Sequence, residues 1–201
     1  MGLVSIELHT FQSPKLRSVV EEATDFFERT PVHPLSPPGG FPGGGVYALY
    51  YLGDYELYTK IAQDVCVLPI YVGRAVPLGW RTARVTSTEK KPLYGRLGEH
   101  ARNIRWVNNL KVDDFRCRFV ILQDVESDLI VPVEATLIRK YRPLWNSVID
   151  GFGNHDPGKG RYNQARSEWD ILHSGRPWAD RLLGESPRLR DVVEKVRVFL
   201  D

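Results

Sequence analysis

Sulfur is scarce in this chain, with 2 cysteines and 1 methionine among 201 residues. Cys66 and Cys117 are separated by 50 residues, and each sits inside an apolar run. That spacing supplies neither a disulfide framework nor paired zinc ligands, so the two read as buried, reduced thiols in a cytoplasmic setting. Long apolar runs are missing as well. No window approaches the length of about 18 apolar residues that marks a membrane-spanning helix. The opening Met1 to Glu7 lacks a basic stretch followed by an apolar one, so secretion is not expected, and Ile6 stands where an acylation signal after Gly2 carries Ser or Thr. The 5 histidines form no His-Glu-x-x-His pair, and no Gly-x-Ser-x-Gly elbow is present. Gly153-x4-Gly158-Lys159-Gly160 follows a phosphate-binding loop only up to its last position. There Gly160 lacks the magnesium-binding hydroxyl, and Pro157 removes an amide from the anion nest. Zinc-dependent, serine-dependent and nucleotide-hydrolysing chemistries drop out.

What is present is a globular composition. Hydrophobic residues make up 42% and charged residues 26%, too apolar for a disordered chain. At about 150 residues per domain, the length fits one catalytic-size core with extensions. The net charge of +2 hides an asymmetry: residues 74–118 hold 11 basic and 4 acidic side chains, a net of +7, whereas residues 1–73 hold 4 and 8. A segment so charged suits phosphate neutralisation and salt-dependent nucleic-acid binding, and equally a solvated helix flank.

Leu16, Val19, Val20, Ala23, Phe26 and Phe27 recur at helical spacing. Five prolines and five glycines between Pro31 and Gly45 make an arm or linker. Gly45 to Tyr51 and Val65 to Gly73 read as buried strands, and Phe115 to Leu122 as a third. The stretch from Arg74 to Lys91 is polar and loop-like. Helical patterns run from about Leu93 to Val107 and from Val131 onward, the latter with Pro132 at an N1-like position and Pro143 closing it. A glycine-rich loop, Gly151 to Gly160, precedes helices predicted around Asn163 to Leu172, Trp178 to Leu183 and Pro187 to Leu200. This order specifies an α/β fold with a small, mainly antiparallel three-stranded sheet flanked by helices.

One ordered series carries chemistry. Gly45-Val46-Tyr47 and Tyr71-Val72-Gly73 on two strands are followed by Arg96-x-x-x-His100 on a helix. Glu134 then opens the next helix, and Asn146 follows Pro143-Leu144-Trp145. Taken singly, the tyrosines read as core, Arg96 and His100 as a solvated flank, Glu134 as a first-turn carboxylate and Asn146 as a turn residue. Together, in this order and on these element types, they resemble the GIY-YIG nuclease superfamily over Gly45 to Asn146. Val46 and Val72 replace its commonest isoleucines, and the gap from Gly73 to Arg96 is longer than in minimal domains. The flanks Pro69-Ile70-Tyr71-Val72-Gly73-Arg74-Ala75-Val76-Pro77-x-Gly79-Trp80-Arg81 and Gly151-Phe152-Gly153-Asn154-His155-Asp156-Pro157-Gly158 resemble its type II restriction endonuclease branch. They extend the likeness over most of the chain.

The resemblance implies a GIY-YIG domain over 45–150 with a basic insertion over 74–92. Around it lie an N-terminal helix and arm over 1–44, and a glycine-rich loop with C-terminal helices over 151–201. It implies that Tyr47 activates water with support from His100, that Tyr71 and Arg96 orient phosphate, and that Asn146 positions a site group. The division of labour between Tyr47 and His100 stays open. Glu134, the one carboxylate of the series, is the expected ligand of a single Mg2+, with Mn2+ as a substitute. The resemblance further implies that the partner is double-stranded DNA, cut by a homodimer at a G·C-rich palindrome of the CCGCGG kind, beside a cognate methyltransferase. A structure-specific repair nuclease and a non-catalytic DNA-binding module are the alternatives. Guanine-reading or phosphate-contacting side chains are expected among Arg74, Arg81, Arg84, Lys90 and Lys91, and among Lys159, Arg161, Asn163 and Gln164. The apolar stripe from Leu16 to Phe27, or the C-terminal Val192, Val193, Val196, Val198 and Phe199, is a candidate dimer surface.

Overall fold

The structure is a computed structural model that describes residues 5–62, 65–77, 79 and 90–201. Its centre is β2 (Gly45–Tyr51), in which all seven residues are buried. Burial on both sides explains why this strand reads as a continuous apolar run rather than an alternating one. It pairs antiparallel with β3 (Tyr71–Ala75) on one side and β4 (Phe115–Ile121) on the other. The fourth strand, β1 (Val32–Pro34), pairs antiparallel with β4, giving the order β1-β4-β2-β3.

The sheet therefore has four strands, one more than the sequence pattern specifies. The extra strand lies inside the proline- and glycine-rich arm, where Pro34 is tolerated because β1 is short and sits at an edge. A second difference concerns the run before β3. Only Tyr71–Ala75 is strand, because Cys66 has a φ of 49° and turns the preceding chain out of extended conformation. Both cysteines are buried and neither is in a disulfide.

Period-two alternation sorts β2 between two cores. Tyr47, Leu49 and Tyr51 point to the layer built by α2 (Pro92–Trp106), α4 (Leu144–Ser147), α5 (Glu168–Leu172) and α6 (Leu189–Leu200). Val46, Ala48 and Tyr50 point to the layer of α1 (Pro14–Arg29) and α3 (Ile130–Tyr141). Helix α3 carries Pro132 within its first turn and stops where Arg142 adopts a left-handed φ of 45° ahead of Pro143. Helix α5 is shorter than its pattern suggests and is capped by the Ser167 hydroxyl. The segment near Trp178 makes a 3-10 turn over Ala179–Arg181 rather than a helix.

The C-terminal elements share the main core. Tyr58 Oη lies 2.6 Å from His173 Nε2 and accepts from Trp145 Nε1 at 3.0 Å, while His173 Nδ1 meets Asn109 Oδ1 at 2.9 Å. The candidate dimer stripes divide. Val20 and Phe27 of α1, and Val192 and Val196 of α6, are buried in their own domain, whereas Leu16, Val19, Phe26 and Val198 are exposed. Among the described residues no helix is long and apolar enough to cross a membrane.

Candidate active site

Two glycines fix where the strands meet the site. A Cβ on Gly45 would lie 1.9 Å from the Val120 carbonyl oxygen, so only glycine allows β4 this close. A Cβ on Gly73 would lie 2.4 Å from Tyr47 Oη, so the bare backbone of β3 is the space into which the Tyr47 phenol fits. Gly73 faces Tyr47 in the register, which places Tyr71, two residues earlier, on the same face. The Tyr47 and Tyr71 ring centroids are 6.2 Å apart.

His100 arrives from α2, on the helix face buried against β2. Its Nε2 lies 2.5 Å from Tyr47 Oη, with both side chains wholly buried. Burial, followed by the positive charges of Arg96, His155 and Arg176, drives His100 well below the ordinary histidine range. Burial first, and then Tyr71, pushes the Tyr47 phenol well above the ordinary tyrosine range, while Arg96 pulls it the other way. The resting pair is thus a phenol and a neutral imidazole. Tyr47 donates to Nε2, which leaves the ring proton on Nδ1, an atom with no hydrogen-bond partner among the described residues.

Arg96, one helical turn before His100, is held from three directions. Its Nη1 donates to Glu99 Oε2 at 2.7 Å and lies 2.8 Å from His155 Nε2; its Nη2 donates to the Gly153 carbonyl at 2.8 Å. The glycine-rich loop thereby closes over the site. Phe152 stacks on His100 with centroids 4.6 Å apart and meets Tyr71 edge-on. A Cβ on Gly153 would lie 2.8 Å from Tyr71 Oη. Phe152, Gly153 and His155 are site-lining residues that single-residue reasoning did not select. Their signal in the sequence is the Gly151 to Gly158 run.

Glu134 approaches from the opposite layer, on α3. Its carboxylate is mostly buried and receives an ion pair from Arg74 Nη1. Burial raises its pKa above the ordinary glutamate value, and Arg74 opposes that without cancelling it. The negative charge of Glu134 reaches both phenols and helps keep their protons on. Among the described residues no three His, Cys, Asp or Glu side chains cluster as a metal cage. Glu134 is the carboxylate beside the two phenols, and its pairing with a guanidinium shows that it accommodates a cation.

Asn146 acts through the backbone. Its Oδ1 accepts from Val72 N at 2.7 Å and its Nδ2 donates to Val72 O at 2.8 Å. This satisfies the outer edge of β3 between Tyr71 and Gly73, where a strand otherwise leaves polar groups unpaired. The remaining candidates lie around the rim. Lys90 and Lys91 precede α2, and the Lys90 carbonyl accepts from Gly43 N in the arm. Lys159 and Arg161 are exposed on a 3-10 turn (Lys159–Arg161), with Asn163 and Gln164 just beyond. A cleft of about 370 Å³ is lined by His155, Asp156, Arg161 and Gln164, among others, and His155 of that lining is the residue that meets Arg96. Arg74 is engaged with Glu134 rather than turned outward unpaired. Arg81 and Arg84 lie outside the described residues.

The family model described as the Eco29kI GIY-YIG domain matches residues 39–200. A search of curated proteins finds no significant match. The family match begins in the glycine-rich arm just before β2 and runs through β2, β3, the α2 helix, α3 and the closing loop to the end of α6. The chain therefore belongs to the Eco29kI GIY-YIG family, a restriction endonuclease family, and is a nuclease that acts on DNA.

Proposed function

We propose that this chain is a type II restriction endonuclease that hydrolyses DNA phosphodiesters, using one divalent metal ion held by Glu134. The observation that carries this reading is the buried 2.5 Å contact between Tyr47 and His100, flanked by the Arg96 guanidinium and the Glu134 carboxylate. Water attacks the phosphorus in line with the 3′ oxygen. Its proton passes to Tyr47 Oη as the phenol proton moves to His100 Nε2, so an oxygen with an unsuitable resting pKa serves as base only through its relay. Burial of His100 makes the imidazolium short-lived and returns the proton once the P–O bond has broken. Arg96 and Tyr71 hold the non-bridging oxygens where negative charge grows. Asn146 keeps Tyr71 in register. Mg2+, or Mn2+ in its place, fits the single hard oxygen ligand offered by Glu134, and when bound it supplies positive charge to the phosphate and leaving group. Glu134 would hold the ion in place of its present partner, Arg74.

Recognition is assigned to the basic insertion and to Lys159, Arg161, Asn163 and Gln164, reading guanine edges in a G·C-rich palindrome. One active site per chain cuts one strand, so a two-fold dimer on a palindromic duplex makes the double-strand break. A cognate methyltransferase protects the host genome in the cytoplasm. Incubation with a mixed plasmid pool and Mg2+ tests the reading: discrete fragments support it. Nicking only at branched or damaged DNA, or retardation without cleavage, overturns it in favour of a repair nuclease or a binding module.

A further inference from the structure

Outside the reacting groups, the least exposed charge among the described residues is Arg176, with no solvent exposure at all. Its guanidinium lies between the Trp169 and Trp178 rings, at 4.6 and 4.5 Å from their centroids. Its Nε donates to Asp170 Oδ1 at 2.6 Å, and Asp170 in turn accepts from Ser167 Oγ. Its remaining donors are spent on one short stretch of backbone: Nη2 on the Gly151 carbonyl at 2.9 Å, and Nη1 on the Phe152 and Asn154 carbonyls at 3.2 and 3.4 Å. Gly151 turns this stretch with a φ of +101°, at a place where a Cβ would lie 1.9 Å from Ser167 Oγ.

The other side of the same five residues faces the candidate active site. The Phe152 ring covers His100, the Gly153 carbonyl takes Arg96 Nη2, and His155 meets Arg96 Nη1. The loop is thus wrapped around one buried cation and presents its outward groups to another. A buried ion pair adds little net stability over an apolar pair of the same volume, so the Asp170–Arg176 pair is poorly explained as a contribution to the fold alone. A guanidinium, with a rigid fork of five donors, is the one side chain that can organise three carbonyls while remaining paired to a carboxylate.

We propose that Arg176 is a positioning residue for DNA cleavage: it fixes the loop at 151–155, which in turn fixes Arg96 and the roof over His100. This rests on the nuclease reading above. Its positive charge also adds to the forces that keep His100 neutral.

The test uses the full chain and two variants, Arg176→Lys and the paired Arg176→Met with Asp170→Leu, which leaves no charge unpartnered if the lysine variant does not fold. Amide hydrogen exchange is read without DNA, and kcat and KM are read on a plasmid that the wild type cuts in Mg2+. The expected result is faster exchange confined to residues 151–155, and a fall in kcat of up to about 100-fold, the scale of a displaced positioning group, with KM within about twofold. Unchanged exchange, or a loosened loop with unchanged kcat, overturns the proposal. A wild type that cuts no DNA overturns the nuclease reading instead, and the exchange comparison still decides whether Arg176 orders the loop.

Discussion

Tyr47 Oη and His100 Nε2 face each other at 2.5 Å inside the protein, between a central strand and the first helix of the layer that Tyr47 faces. Neither group is ionised at neutral pH, since burial moves the phenol up and the imidazole down. The contact is a path for one proton and not an ion pair.

Replacing His100 with Gln keeps a hydrogen-bonding group near Tyr47 but removes the base. Single-turnover cleavage should slow by about 10² to 10⁴-fold, the range for a lost proton-transfer group, while duplex affinity is retained. A rate within a few-fold of wild type would show that Tyr47 passes its proton elsewhere.

Glu134→Gln removes the carboxylate that pairs with Arg74. We expect loss of metal-dependent cleavage with metal-free DNA binding nearly intact, and loss of Mn2+ binding in a calorimetric titration. Retention of near wild-type cleavage would place the metal elsewhere.

His173 supplies a pH dependence of stability. It is buried and held down to about 3, by burial and then by Arg176, against about 6.5 in an unfolded chain. Between those values the unfolded chain binds more protons, so this contribution is complete above about pH 6.5 and is lost as pH falls toward 3. Over two pH units below 6.5 the loss is about 3 kcal/mol. Urea unfolding at pH 7 and pH 4.5 measures it, and His173→Gln should flatten the difference. An unchanged difference in the variant would assign the effect to other groups.

Asn146→Asp keeps an acceptor for Val72 N but sets a carboxylate oxygen against Val72 O. An unsatisfied or repelled backbone group costs about 1–3 kcal/mol, so both the melting temperature and the cleavage rate should fall. A variant as stable and as active as wild type would deny Asn146 its hold on β3.

The sequence made β2 readable as a buried strand and gave the helical spacing of Arg96 and His100, and the strand's period of two with that spacing brings Tyr47, Tyr71, Arg96 and His100 together. It hid what depends on distant chain. Val32–Pro34 is a strand only because β4 offers an edge, and local composition there speaks of turns. The pairing of Arg74 with Glu134 crosses 60 residues and has no local signature. The closing loop was visible as a glycine-rich run, but its fold over His100 depends on Arg176, more than 20 residues later.

Tyr47→Phe tests the central claim most directly, because it removes one oxygen from a buried ring and changes little else. Single-turnover cleavage of a plasmid by wild type and variant, with Mg2+ and equal duplex affinity verified by retardation, isolates the chemical step. The account predicts a loss of about 10² to 10⁴-fold in that step alone. Cleavage by Tyr47→Phe at the wild-type rate would contradict it.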